Sequence, residues 1–146
     1  MKIRLPLALA ALVLSTSVRA ADPGADYLDK AAKEKGAVKT SSGLVYRPLK
    51  EGTGAKPTAS STVQVNYRGT FIDGKEFDAS AKHGGPATFP LNRVIACWTE
   101  GVAMMKVGGK AQLVCPPAIA YGAGGAPGAI PPNSTLVFEV ELLAVQ

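Results

Sequence analysis

Histidine and cysteine are scarce in this chain of 146 residues, which contains one histidine and two cysteines. A hydrolase triad needs a positioned histidine, whereas His83 lies beside two glycines in a loop-like segment. Cys97 and Cys115 provide two ligands where a structural zinc site needs four, and they do not form a CxxC motif. We therefore expect no metal, no cofactor and no nucleophilic catalysis.

Clustered positive charge is also missing from the part of the chain that we expect to fold. Three of the sixteen basic residues and none of the eleven acidic residues lie in the first twenty positions, so the remainder carries a net charge of only +2. Its basic residues do not form the patch or stripe, interleaved with aromatic residues, that nucleic-acid binding requires. Binding to nucleic acid is therefore not expected.

The N-terminal apolar run is too short to span a bilayer comfortably. Residues 1–20 read MKIRLPLALAALVLSTSVRA, with early basic residues, the apolar run Leu5–Leu14 and a small-residue cleavage pattern ending at Ala20. This is typical of a secretory signal peptide. We predict an exported protein, periplasmic or secreted, with no membrane association after cleavage. A retained membrane anchor is the alternative.

Export would place the two cysteines in an oxidising compartment, where disulfides form and persist. Cys97 lies near the start of a predicted helix, and Cys115 lies near the end of a strand that we expect to return antiparallel to that helix. The two side chains would then be neighbours. A disulfide between Cys97 and Cys115 is the prediction, and two buried free thiols or a reactive thiol are the alternatives.

Alternating apolar and polar residues dominate the chain from Leu44 onward. The segment TVQVNYRGT (62–70) alternates in this way, and Asp73-Gly74 follows it as a strong hairpin signal. One helix is predicted within 94–105, ended by Gly108-Gly109, because Trp98, Val102 and Met105 share a helical face. Further strands are predicted at 44–50, 87–91, 110–115 and 136–145.

These elements predict an α+β fold in which one short helix covers one face of an antiparallel sheet. The core would lie between sheet and helix, above Trp98. Residues 44–146 would form one domain. Residues 21–43 would be an N-terminal arm and linker, with a short helix beginning at Pro23 or Asp26. We expect this arm to be frayed, because it has few apolar residues to bury.

A group of aromatic and aliphatic residues accompanies a single acid. Tyr121 opens a loop rich in glycine and proline (120–132) instead of lying within a strand. A tyrosine at a rim offers an apolar body and a hydroxyl donor. The group predicts a dry ligand or peptide pocket, although its members could equally be ordinary core residues. They are Tyr67, Phe77, Asp78, Val94, Ile95, Trp98, Tyr121 and Phe138.

Three segments resemble the FKBP family of peptidyl-prolyl cis–trans isomerases, especially its exported bacterial members related to macrophage infectivity potentiators. In order, they are VQVNYRGTFIDGKEFDAS, VIACWTEGVAMMKVGGKAQLVCP and AYGAGGAPGAIPPNSTLVFEVELL. The resemblance covers residues 44–146. It implies a five- or six-stranded antiparallel half-barrel wrapped on one short helix. It also implies an isomerase that assists the folding of exported proteins, with proline-containing polypeptides as clients and macrolides as candidate inhibitors.

The resemblance gives each member of the group a role. Trp98 would be the floor, and the walls would be Tyr67, Phe77 and Phe138. Val94 and Ile95 would border the pocket, and the Ile95 N–H would bond a substrate carbonyl. The Tyr121 hydroxyl and the Asp78 carboxylate would be its polar groups. The implied rim consists of Ala87, Phe89, Ala129 and Ile130.

The chain departs from the family pattern in several places. Ala87, Ala126 and Ala129 stand where larger residues are common, which predicts a wider and shallower pocket. An arginine often follows the acid within a few residues, whereas this chain has AKH at 81–83. The long dimerising helix of the infectivity-potentiator relatives has no counterpart in 21–36, so a monomer is expected. A non-catalytic, chaperone-like module that uses the same pocket is the alternative function.

Overall fold

The computed structural model describes residues 22–146, and the predicted signal peptide lies outside these described residues. The described chain contains two α-helices and seven strands. The helices are α1 (Pro23–Ala32) and α2 (Ala96–Val102). The strands are β1 (Val38–Lys39), β2 (Val45–Lys50), β3 (Thr62–Phe71), β4 (Glu76–Ala79), β5 (Ala87–Pro90), β6 (Lys110–Cys115) and β7 (Leu136–Val145). Within residues 22–146, no helix is long and apolar enough to cross a membrane.

All seven strands belong to one antiparallel sheet with the spatial order β1-β2-β6-β7-β3-β4, and β5 also pairs with β3. The predicted α+β class is confirmed. The strand number exceeds the expected five or six because the short β1 extends one edge. In addition, the chain beside β3 is divided into β4 and β5, which pair with different parts of it.

β3 and β4 are joined by the predicted hairpin. Gly74 has φ of 89°, a conformation that glycine adopts without steric cost. The Gly74 N–H donates to the Phe71 carbonyl at 3.0 Å, and the Asp73 carboxylate accepts from the Lys75 N–H at 2.9 Å. The turn therefore fixes where β4 begins, and with it the positions of Phe77 and Asp78.

The main core lies between the sheet and α2. The three predicted inward residues of the helix segment, Trp98, Val102 and Met105, are at most 5% exposed. The helix itself is shorter than predicted and ends at Val102, well before Gly108-Gly109. The Met104 and Met105 N–H groups instead donate to carbonyls three residues back, which tightens the last turn and closes the helix early.

The disulfide between Cys97 and Cys115 is present, which confirms that prediction. Both residues are fully buried, and their Cα atoms lie 5.8 Å apart. The bond joins the first turn of α2 to the last residue of β6. It therefore fixes the end of the helix that carries Trp98 against the sheet.

The expectation of a frayed N-terminal arm is wrong. The Asp22 side chain caps α1 by accepting from the Ala25 N–H at 3.1 Å, and Pro23 occupies the first helical turn. Ala31 of α1 packs against Val45, Val114 and Val137, on the side of the sheet opposite α2. A second, smaller core therefore covers the outer face of the sheet.

Candidate active site

A cavity of about 520 Å³ opens between the sheet, the start of α2 and the loop that follows β6. All eight residues of the predicted group line it: Tyr67, Phe77, Asp78, Val94, Ile95, Trp98, Tyr121 and Phe138. Two further residues complete the lining, Phe89 and Arg93. The structure therefore brings together every residue that the sequence analysis assigned to the floor, walls and polar groups of a pocket.

Trp98 is the centre of the aromatic lining. Three rings meet it edge-on, those of Tyr67, Phe138 and Phe89, with centroid distances of 5.2, 5.4 and 5.6 Å. Phe77 stands edge-on to Phe138 at 5.6 Å. Edge-to-face pairs of this kind are favourable beyond the area that they bury. The rings support one another, so the floor and walls of the cavity are held in a defined arrangement.

Gly69 of β3 makes room for this arrangement. A Cβ atom at this position would lie 2.6 Å from the Phe77 ring and 2.9 Å from the Phe138 ring. Any side chain at this position would therefore displace the two rings that form one wall. The glycine in the NYRGT segment is thus a packing requirement of the wall and was not recognised as such from the sequence.

The polar side of the cavity is built around the Asp78 carboxylate. The Tyr67 hydroxyl donates to Asp78 Oδ2 at 2.8 Å, and the Ala79 N–H donates to Asp78 Oδ1 at 2.9 Å. His83 Nε2 lies 2.8 Å from the same Oδ1 atom. We assigned no role to His83 from the sequence. The only available signal was its position five residues after the acid, where the family often has an arginine nearby.

These contacts set the ionisation of the two polar groups. Burial raises the pKa of Asp78, but hydrogen bonds from His83, Tyr67 and the Ala79 amide, together with the charge of His83, outweigh burial and hold it below its ordinary value. Burial, followed by the hydrogen bond and charge of Asp78, raises the pKa of Tyr67 to about 12. At neutral pH the wall therefore presents a carboxylate and a neutral phenol.

The start of α2 supplies backbone hydrogen-bonding groups. The Ile95 carbonyl accepts from the N–H groups of Trp98 and Thr99, at 2.9 and 3.2 Å, and so begins the helix. The Ile95 N–H has no acceptor among residues 22–146. Because Ile95 also lines the cavity, this donor can serve a bound carbonyl group.

The loop between β6 and β7 forms one side of the cavity and carries Tyr121, which is 42% exposed. Ala126 and Ile130 bond to each other through both backbone groups, with N···O distances of 2.9 and 2.7 Å. Ile130 is 5% exposed and belongs to the main core. The loop is therefore closed on itself and pinned to the core, with the Tyr121 side chain at its base.

The predicted rim residues lie in different surroundings. Phe89 lines the cavity, whereas the other three do not belong to its lining. Ala87 pairs with Val65 in the sheet, Ala129 is exposed on the loop, and Ile130 is buried beneath it. Arg93 lines the cavity but was missed, because an exposed arginine before a helix carries no distinctive sequence signal.

Two glycines in this loop give a test of its packing. Gly122 and Gly125 have nearly equal φ angles of 64° and 62°. A Cβ atom at Gly125 would collide with the backbone of Ile130 and Pro131, whereas a Cβ atom at Gly122 would meet nothing within 4 Å. We expect Gly125→Ala to cost about 1–3 kcal/mol more in the free energy of unfolding than Gly122→Ala.

The pair is matched, because both alanines pay the same cost of about 1–2 kcal/mol for a left-handed backbone. Urea unfolding of both variants beside the unaltered protein measures the difference. Equal losses would mean that the loop yields freely at Gly125 and is not pinned through Ile130.

Known proteins resemble this chain in sequence and in fold. Residues 53–143 match the family model described as FKBP-type peptidyl-prolyl cis-trans isomerase. The chain is 57% identical over 123 residues to the isomerase FkpA of Escherichia coli, an alignment covering 84% of this chain and 45% of that protein. It is 48% identical over 117 residues to the isomerase Mip of Coxiella burnetii, covering 80% of this chain and 51% of that protein.

Two solved structures are also similar. The crystal structure of Escherichia coli FkpA superposes with a TM-score of 0.82 at 56% identity and covers 85% of this chain and 58% of that one. A peptidyl-prolyl cis-trans isomerase from Pseudomonas syringae superposes with a TM-score of 0.79 at 39% identity and covers 85% of this chain and 91% of that one. This chain spans about half the length of the curated relatives that it matches.

Proposed function

Since this chain belongs to the family of FKBP-type peptidyl-prolyl cis–trans isomerases, we propose that it catalyses rotation about X–Pro peptide bonds in proline-containing polypeptides. The observation that carries the proposal is the composition of the cavity. Its lining is a set of mutually packed aromatic rings with one carboxylate, one guanidinium group (Arg93), one free backbone donor and two tyrosine hydroxyls. Such a site suits a reaction that breaks no covalent bond.

The physics of the amide bond explains why such a lining is sufficient. Rotation about a peptide bond is slow because resonance gives the C–N bond partial double-bond character, with a barrier of about 18–20 kcal/mol. Resonance also places negative charge on the carbonyl oxygen, which water stabilises. A dry aromatic cavity removes that stabilisation and so disfavours the planar form relative to the twisted one. A cavity shaped for the twisted form lowers the barrier further.

In this mechanism the aromatic rings hold the proline, and polar groups at the margin hold the adjoining backbone. Trp98 would lie beneath the pyrrolidine ring, between the walls formed by Phe77 and Phe138. The Ile95 N–H and the Tyr121 hydroxyl would donate to substrate carbonyl groups. The Asp78 carboxylate, held by Tyr67, would orient the substrate and take no part in proton transfer. Of the four rim residues expected from the sequence, Phe89 would border the bound peptide, whereas Ala87, Ala129 and Ile130 lie outside the lining of the cavity.

Isomerisation of a Leu-Pro or Phe-Pro tetrapeptide by the purified protein tests the proposal. We expect catalysis, with kcat/KM reduced about ten- to a hundredfold by Asp78→Ala and about three- to tenfold by Tyr121→Phe. These factors correspond to the loss of a charged and of a neutral hydrogen-bonding group. If neither substitution changes kcat/KM, the assignment of these two polar groups is wrong.

Two residues of α1 supply matched controls. Asp29→Ala removes an exposed carboxylate, and Tyr27→Phe removes a hydroxyl, both from the helix that packs on the opposite face of the sheet. We expect both variants to retain the activity of the unaltered protein. Losses equal to those at Asp78 and Tyr121 would indicate a general effect of the substitutions on the fold.

A chaperone-like binding module is the second candidate function. The alanines at 87 and 129 favour it, because neither side chain reaches the cavity and the site is left open to larger ligands. The chain contains a single tryptophan, so the fluorescence of Trp98 reports peptide binding without interference from another indole. Binding of the tetrapeptide without acceleration of its isomerisation would favour this module over the enzyme.

The proposal places the protein outside the cytoplasm, in the periplasm or secreted, where it would assist the folding of exported proteins. Residues 1–20 would be the signal peptide, 21–43 the N-terminal arm and linker, and 44–146 the isomerase domain. Macrolides of the class that inhibits the family would compete with peptide for the cavity. We propose a monomer, and sedimentation of the purified protein would check this.

A further inference from the structure

His83 is held in a fixed place beside the Asp78 carboxylate. It is the last residue of a 3₁₀ turn, Ser80–His83, which ends at Gly84 with φ of 90°. The turn is anchored to β3 through the buried Ser80, whose hydroxyl accepts from the Tyr67 N–H at 3.1 Å and donates to Asn66 Oδ1 at 3.2 Å. This anchoring keeps the imidazole within reach of the carboxylate.

The contact between His83 and Asp78 connects a solvent-exposed imidazole to a less exposed carboxylate that lines the cavity. His83 Nε2 lies 2.8 Å from Asp78 Oδ1, and the side chains of His83 and Asp78 are 60% and 37% exposed. On its other oxygen, Asp78 accepts the Tyr67 hydroxyl, which belongs to the cavity wall. A change of charge on the exposed imidazole therefore alters the electrostatic surroundings of Asp78 and, through it, of the Tyr67 hydroxyl in the cavity wall.

Protonation of His83 alters the desolvation cost that a peptide pays when it binds in the cavity. When the imidazole is protonated, the pair of Asp78 and His83 carries no net charge. When it is neutral, the Asp78 carboxylate has no charged ion-pair partner among residues 22–146, and an uncharged peptide that displaces water from it pays a larger desolvation cost. Binding of an uncharged prolyl peptide should then be weaker at alkaline pH than at mildly acidic pH.

The other charged and titratable groups around this pair do not produce the same change. Lys82, on the same turn, lies 3.5 Å from Glu76 of β4, which Arg68 of β3 also engages at 2.8 Å. Arg93 and Tyr121 lie on the walls formed by the start of α2 and by the loop before β7. Among these residue types, histidine alone ordinarily changes charge between about pH 5 and 8.

We propose that His83 is a positioning residue for prolyl isomerisation, which acts through Asp78 and makes the cavity more active toward uncharged prolyl peptides as the pH falls from about 8 to about 5.5. The inference rests on the proposed function, since it requires a prolyl peptide in the cavity. It identifies His83 as the group through which the acidity of the surroundings sets the activity of the enzyme.

The pH dependence of kcat/KM for an uncharged, end-blocked Phe-Pro tetrapeptide tests the inference, because such a substrate does not itself titrate. The unaltered protein should be about two- to fivefold more active at pH 5.5 than at pH 8, an effect expected of a half-exposed ion pair. The change should appear in KM more than in kcat, because the carboxylate loses its water when the peptide binds.

Two substitutions fix the two charge states of this residue. His83→Arg keeps a cation at all pH values and should hold activity near the acidic level. His83→Gln keeps a neutral donor and should hold activity near the alkaline level. Lys82→Gln removes the neighbouring cation and should leave the pH dependence intact. A profile in His83→Arg that equals that of the unaltered protein would overturn the inference, while the proposed function would stand.

A second measurement separates failure of the inference from failure of the proposed function. The chain contains one histidine, so its ring-proton resonance is assigned without ambiguity. The transition in activity should coincide with the titration of this resonance, and a transition at a different pH would overturn the inference. If the unaltered protein shows no catalysis at any pH, the proposed function fails. Tetrapeptide affinity, followed by Trp98 fluorescence over the same pH range, then decides whether His83 controls the cavity.

Discussion

Replacing both cysteines by alanine is expected to lower the free energy of unfolding by about 3 kcal/mol. The disulfide links residues 18 apart in sequence, and a cross-link of this span removes loop-closure entropy from the unfolded chain. Urea unfolding of Cys97→Ala/Cys115→Ala beside the oxidised protein measures the loss. Because the bond fixes the first turn of α2, we also expect the double variant to bind the prolyl tetrapeptide more weakly.

The double variant removes two buried sulfur atoms as well as the bond, so a control is needed. Reduction of the unaltered protein breaks the bond and keeps both side chains in place. If the cross-link is the main contribution, the reduced protein should lose nearly as much stability as the double variant. A reduced protein as stable as the oxidised one would show that the loss in the variant comes from packing. Two reactive thiols in the unreduced, unfolded protein would contradict the disulfide itself.

The strands and the hairpin could be predicted from the sequence because their signals are local. Alternation in 62–70 placed Val63 and Val65 in the core, and Asp73-Gly74 located the turn. The end of α2 could not be predicted in the same way. The helix closes at Val102, but Met105 is also buried, and it falls at the sequence spacing that a further helical residue would have. The apolar pattern therefore continues beyond the end of the helix.

The docking of α1 could not be read from its own sequence, because the signal lies in its partner residues. Val45, Val114 and Val137 each follow an inward-facing leucine, so each interrupts the alternation of its strand with a second apolar residue. Val45 pairs with Val114, and Val114 with Val137, which forms one apolar row across the outer face. Three such interruptions indicate a second covered face, and α1 is the helix that covers it.

In the candidate site, too, some residues could be predicted from the sequence, whereas others depend on where the fold places them. The aromatic group could be collected from the sequence, but the role of each member came from the resemblance, since nothing local to Tyr67 or Phe138 distinguishes a cavity wall from core. Arg93 and His83 were missed because their roles depend on where the fold places them. His83 lies five residues after Asp78, and only the 3₁₀ turn anchored by Ser80 brings the two side chains together.

Trp98→Ala is expected to have the largest effect on the site. Trp98 is 5% exposed and packs edge-on against Tyr67, Phe89 and Phe138. Truncation of a buried tryptophan costs about 3–5 kcal/mol, because transfer energy is lost and a cavity remains. The three surrounding rings would also lose their common support, so we expect isomerisation to fall close to the uncatalysed rate. Urea unfolding and the tetrapeptide assay measure the two effects.

Trp98→Phe separates the contribution of the ring from that of the whole side chain. The Trp98 indole N–H is buried and has no hydrogen-bond acceptor among residues 22–146, and a buried unpaired donor ordinarily costs about 1–3 kcal/mol. Phenylalanine keeps an aromatic ring that can pack edge-to-face with its neighbours, and it removes the unpaired donor. The gain from removing that donor offsets part of the stability lost with the smaller side chain. We therefore expect Trp98→Phe to change stability by about 1 kcal/mol or less and to retain most of the activity.

The two Trp98 variants together show whether catalysis needs only an aromatic surface at the floor of the cavity or needs the indole itself. If Trp98→Phe loses as much activity as Trp98→Ala while remaining folded, the indole N–H or its full width is required, and a dry aromatic surface is not sufficient for catalysis. If Trp98→Ala remains folded and fully active, the isomerised bond does not lie over Trp98, and the reaction takes place outside this cavity.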